Sequence, residues 1–166
     1  TKTINTAMNN NELPLSKLYY WCPNIALPNT TDRVMLCVVP LIASDGTVYG
    51  VCGFEVSSLL FKLSYIPDIN ISDTVFSLLS KTENEELDCS SSFMAAEYPA
   101  VVKNELADAK LRYQVKSNFP IKYSSSSNQF IGLHKNISLY SDDSPYIDEG
   151  WVVSVMVPIK DYERAL

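Results

Sequence analysis

Glycine is scarce in this chain, with 5 in 166 residues, and histidine occurs once. So few glycines leave no loop that could cradle a phosphate on consecutive backbone amides. The single histidine, His134, would need Cys89 or a serine beside it to make a nucleophilic pair, and no Gly-x-Ser-x-Gly turn presents one. Catalytic residues are therefore not expected, and an enzyme is the least supported class. Four cysteines (Cys22, Cys37, Cys52 and Cys89) are too few and too scattered for a disulfide scaffold. None forms a Cys-x-x-Cys pair, which argues against a zinc site, and free thiols are expected. No apolar run reaches the roughly 18 residues that span a bilayer, and no secretory signal pattern opens the chain. Positive charge is also short, with 13 Lys and Arg against 19 Asp and Glu. A net charge of −6 excludes the basic stripe that nucleic acid requires.

The acidic residues themselves suggest no metal. Asp142, Asp143, Asp148 and Glu149 lack the spacing of a calcium loop, and Glu83, Glu85, Glu86 and Asp88 read as a solvated acidic loop. No cofactor is implied. The hydrophobic content of 46% is ample for one ordinary domain across residues 1–166 with its own core. Thr1 and Leu166 read as the ends of an excised fragment. Three Asn-x-Ser/Thr matches occur, at Asn29, Asn70 and Asn136.

The most informative stretch runs from Val34 to Val56. Two apolar runs of strand length flank Asp45-Gly46, a strong hairpin signal. With Asp45 and Gly46 as a two-residue loop, Ala43 faces Val48 and Leu36 faces Glu55. One face then carries Leu36, Val38, Pro40, Tyr49, Val51, Gly53 and Glu55. The other carries Met35, Cys37, Val39, Val48, Cys52, Phe54 and Val56. Two apolar faces predict a hairpin at the centre of a sheet. Glu55 then needs a partner, either a Lys or Arg at the sheet margin or a ligand, and Gly53 leaves room for a close approach.

Before the hairpin lie Tyr19, Tyr20 and Trp21, which suit loop-to-core packing or a ligand wall. After it, Ser57 or Ser58 caps a short helix through Leu63, and Thr74–Ser80 reads as a strand. Pro99 sits in the first turn of an amphipathic helix over Glu97–Leu111. Phe130–Leu139 alternates, with Ile131, Leu133, Ile137 and Leu139 on the buried face and Gly132, His134 and Asn136 outside. Trp151–Val157 reads as a central strand. The fold class expected is α+β: a PAS-like single antiparallel sheet of about five strands with flanking helices.

Three segments, LYYWCP, VVPLIASDGTVYGVCGFEVSSLL, and the pair FIGLHKNISL and WVVSVMVPIKDYERAL, cover about a third of the chain. In order and spacing they resemble a Cache-type extracytoplasmic sensor domain. The resemblance implies a bacterial receptor, tethered to the cell membrane through segments outside this chain. Its output would be a histidine kinase, a cyclic-dinucleotide enzyme, a chemoreceptor or a DNA-binding regulator. It implies a small-molecule ligand, an amine or amino acid, held by Tyr20, Trp21, Tyr49 and Glu55, and a homodimer. Glu55 stands where relatives carry an Asp for a ligand amine. The Arg expected before the aromatic pair is absent, and Lys17 does not match its spacing. The family's long N-terminal helix is not legible in residues 1–13. The alternative is a PAS-like or profilin-like dimerisation or protein-interaction module without ligand.

Overall fold

The computed structural model describes residues 2–29, 33–57, 74–96, 106, 110–113 and 120–166. They form two compact units. One comprises Thr1–Ser57 with Ser138–Glu149, the other Ser58–Ile137 with Gly150–Leu166.

The first unit opens with helix α1 (Lys2–Asn9), whose Thr3 and Ala7 lie one turn apart and are both buried. A second, one-turn helix α2 (Leu15–Leu18) follows Pro14, whose fixed φ suits the position before a helix. Three antiparallel strands follow in the order β1 (Tyr20–Ala26), β2 (Arg33–Ile42), β3 (Val48–Ser57). Pro23 is accommodated because, among the described residues, β1 has only β2 beside it and bulges between Cys22 and Ile25, with Asn24 at φ 59°.

The hairpin register at Glu55 is the expected one, but it is reached by a different route. Gly46, at φ 85°, donates its N–H to the Ala43 carbonyl at 2.9 Å, and Ala43 donates to Thr47 at 2.9 Å. The loop is thus Ser44-Asp45-Gly46, one residue longer than a two-residue turn, with glycine at the left-handed position. Asp45 Oδ1 accepts the Thr47 N–H at 2.9 Å. The longer loop pairs Ile42 with Val48, a slip of one residue. A bulge between Leu41 and Ile42 cancels the slip, and Leu36 pairs with Glu55. The expected central position of the hairpin is overturned. Among the described residues β3 has only β2 beside it and is exposed over most of its length, including Tyr49, Val51, Cys52 and Phe54.

The second unit overturns the single five-stranded PAS-like sheet. It contains β4 (Phe76–Glu83), β5 (Glu86–Asp88), a 3-10 turn (Cys89–Ser91), β6 (Phe93–Ala96), β7 (Lys110–Tyr113), β8 (Ile121–Ser124), β9 (Gln129–Ile137), β10 (Trp151–Pro158) and a short helix α3 (Ile159–Arg164). The strands are antiparallel in the order β10-β9-β8-β7-β5-β4, and β4 pairs back to β10, closing a six-stranded barrel. β6 flanks the first half of β4. The molecule is mostly β, not α+β. Register and alternation place Phe76, Leu78, Leu87, Leu111, Ile121, Tyr123, Phe130, Val152 and Met156 inward, and all are buried. Phe76 and Phe130 meet edge to face at 5.3 Å.

Several local expectations change with the barrel. The stretch 83–88 is a tight hairpin: Glu83 pairs with Glu86 across Asn84 and Glu85, both at positive φ, as a type I′ turn demands. Lys110 and Leu111, expected as the end of a helix, lie in β7. The rest of that helix, 97–109, lies outside the described residues apart from Leu106, and so does the helix after Ser57. β9 forms as expected, with Ile131 buried and Asn136 exposed, but its middle faces the other way. Leu133 is half exposed, whereas Phe130, Gly132 and His134 pair in register with the inward residues of β8 and β10. Gly132 is needed there, because an added Cβ would meet the Val155 carbonyl oxygen at 2.1 Å.

Candidate functional site

The four residues expected to hold a ligand do not converge on one point. Tyr20 pairs with Val38, opposite Gly53, and Glu55 pairs with Leu36, opposite Cys22, so Tyr20 and Glu55 share a face. Trp21 pairs with Cys37, opposite Phe54, on the other face, where the two rings meet edge to face at 6.0 Å. Tyr49 stands at the bulge, 68% exposed, and Glu55 is exposed. The space beside Gly53 is filled by the neighbouring strand: an added Cβ would meet the Cys37 carbonyl oxygen at 2.4 Å. None of the four cysteines is in a disulfide; Cys37 and Cys89 are buried and Cys52 is exposed.

Tyr20 instead joins a cluster assembled by α1, the start of β1 and the segment 138–149. Its ring centroid lies 4.8 Å from that of Tyr146 and 6.4 Å from that of Tyr140. Tyr140 is 5.4 Å from Tyr146 and 5.7 Å from Tyr19. Tyr140 and Tyr146 are buried. The Lys2 ammonium lies over this cluster, 4.7 Å from the Tyr20 centroid and 5.6 Å from that of Tyr146, and it pairs with the Glu149 carboxylate. It also reaches Tyr20 Oη at 3.4 Å. This is the arrangement that ring quadrupoles and a carboxylate make for a cation. Partial burial lowers the Lys2 pKa, but Glu149 and Tyr20 outweigh it, and the net shift is upward. Burial likewise raises the Tyr140 phenol, helped by the Glu149 charge.

The walls are held by contacts of their own. Tyr140 Oη accepts the Trp21 N–H at 3.2 Å and donates to Glu149 at 3.4 Å. Tyr19 donates to the Leu139 carbonyl at 2.9 Å, and Ser144 Oγ to the Lys17 carbonyl at 2.9 Å. Lys17 pairs with Asp143 at 3.1 Å. Tyr146 Oη is buried beside Thr6 but makes no well-formed hydrogen bond. Lys2, Tyr140, Tyr146 and Glu149 were missed by the sequence reading, which took 140–150 as a solvated loop. The signal was present in two tyrosines within a polar stretch, since a tyrosine needs somewhere to bury its ring.

A second polar cluster lies inside the barrel. Tyr123 Oη and His134 Nδ1 are 3.0 Å apart, and Thr82 Oγ1 and Tyr113 Oη 2.7 Å apart. The His134 and Tyr113 rings meet edge to face at 4.8 Å. Ser154 Oγ is buried near enough to Tyr123 to ease its ionisation, yet forms no well-aligned hydrogen bond. Burial lowers the His134 pKa and raises that of Tyr123. Tyr123 with His134, and Thr82 with Tyr113, satisfy each other inside the ring, as most buried polar groups do.

Among the described residues, no group of three His, Cys, Asp or Glu could hold a metal, and no helix is long and apolar enough to cross a membrane. No protein-family model matches the chain, and no curated protein is similar to it.

Proposed function

We propose that this chain is the small-molecule-sensing part of a bacterial membrane receptor, acting outside the cytoplasm, and that its ligand is a small organic cation. The observation that carries the reading is the box of Tyr20, Tyr140, Tyr146 and Glu149, which already holds an ammonium group, that of Lys2. Cation–ring attraction and a single carboxylate select positive charge without requiring a carboxylate clamp. An amine therefore suits the box better than an amino acid. The receptor context rests on the resemblance in sequence of the LYYWCP and Asp-Gly hairpin segments to Cache-type sensors; the closed barrel, which contains the third resembling segment, is not the PAS-like sheet of that family. Signalling then requires that the ligand bind one conformation of the domain more tightly than another.

A second reading, a protein-interaction module, is favoured by the exposed apolar side chains of Tyr49, Val51 and Phe54 on the β3 edge. Thermal unfolding against a panel of primary and quaternary amines separates the two. At a hundred times its dissociation constant a ligand adds about 2.7 kcal/mol, or a shift of roughly 5–10 °C for a domain this size. The sensor reading expects such a shift with an amine, and its loss in Tyr146→Ala and Glu149→Gln. A panel without any shift overturns the amine reading.

A further inference from the structure

We propose that Lys2 is a tethered competitor for the cation box, so that an external amine must displace it and the chain sets its own threshold for ligand. This rests on the amine reading above and deepens it. Three observations support it. Lys2 is the more exposed partner, its side chain 56% exposed against 17% for Glu149. The Lys2 ammonium is therefore within reach of solvent and can exchange with it.

Part of the wall is held by contacts other than Lys2. Tyr140 is fixed by the Trp21 N–H, Tyr19 by the Leu139 carbonyl, and the 138–149 segment by Ser144 to Lys17 and by Lys17 to Asp143. Removing the ammonium leaves the buried Tyr140 and Tyr146 rings beside Glu149, whose carboxylate also accepts from Tyr140. Finally, α1 is anchored by its buried Thr3 and Ala7, one and five residues on from Lys2. The Lys2 side chain can therefore swing into solvent without moving the helix.

A group tethered by so few bonds competes at a high effective concentration. The apparent affinity for an external amine is reduced by the fraction of molecules in which the box is open. Lys2 thus acts on the ligand threshold and not on the shape of the site.

The test compares the wild-type chain with Lys2→Gln and Lys2→Arg, using n-butylammonium and tetramethylammonium chlorides as probes in calorimetric titrations at constant ionic strength. Thermal unfolding first establishes that each variant is folded. The expected result is n-butylammonium binding about five- to tenfold tighter in Lys2→Gln than in wild type, with Lys2→Arg near wild type. Equal or weaker binding in Lys2→Gln overturns the competitor role and leaves the amine reading standing. Absence of binding of either probe to wild type and to folded Lys2→Gln overturns both.

Discussion

Strands β3 and β4 are both rich in apolar residues, and the two units use them in opposite ways. From Phe76 to Ser80, β4 is buried at every position, because it has β10 on one side, β5 and β6 on the other, and the barrel interior beneath. Across Val51–Glu55, β3 is exposed at every position, because β2 is its one neighbour among the described residues. Composition does not separate the two; closure does. A ring has no edge, so each strand in it gains two neighbours and an inside.

The sharpest way to break this comparison is to truncate one phenylalanine from each strand. Phe76 is fully buried and Phe54 is 58% exposed. Phe76→Ala is expected to cost about 3–5 kcal/mol in urea unfolding, and Phe54→Ala under about 1 kcal/mol. Similar costs would mean that β3 is covered after all. The two glycines come next. An added Cβ at Gly132 meets the Val155 carbonyl within the closed ring, and at Gly53 the Cys37 carbonyl at an edge. Gly132→Ala is expected to lose about 1–3 kcal/mol, as overpacked sites do. Gly53→Ala should lose less, because an edge strand can swing away.

The barrel interior should also show itself through pH. Burial holds the His134 pKa below its usual 6.5, so the unfolded chain takes the proton first as pH falls. The His134 contribution is full above pH 6.5 and is lost as pH drops through the depressed folded value. Melting temperatures measured between pH 7 and 5 should fall in wild type and fall less steeply in His134→Gln. The smallest effect is a labelling rate. Cys52, exposed on β3, should react with iodoacetamide in the native protein. Cys89, buried with its thiol pushed up to about 12, should react only on unfolding. Equal rates would show that the barrel opens.

Local pattern and tertiary closure were legible to different degrees. Strands β2, β3, β4, β9 and β10 were readable because alternation and the Asp45-Gly46 signal are local. The Leu36–Glu55 register came out as expected because loop and bulge shift the pairing in opposite senses. Ring closure was not readable, since nothing in Phe76–Glu83 names Trp151–Pro158 as its partner. In β9 the faces at Leu133 and His134 were missed because the polar residue was assigned to solvent. Here Tyr123 and His134 satisfy each other inside, and Leu133 lies outside. In the cation box only Tyr20 was anticipated. Lys2 and Glu149 lie 147 residues apart and have no local sign of pairing.

That separation also orders events during synthesis. Lys2, Tyr19 and Tyr20 leave the ribosome before Tyr140, Tyr146 and Glu149, which emerge only after β9 has been made. At common elongation rates of about 5–20 residues per second, the early half of the box waits roughly 7–30 s for its other half. Through that interval the nascent three-stranded sheet has a lysine without its glutamate and tyrosines without their ring partners. The stage of translation most exposed to misfolding is therefore expected to fall before the barrel's last hairpin is complete.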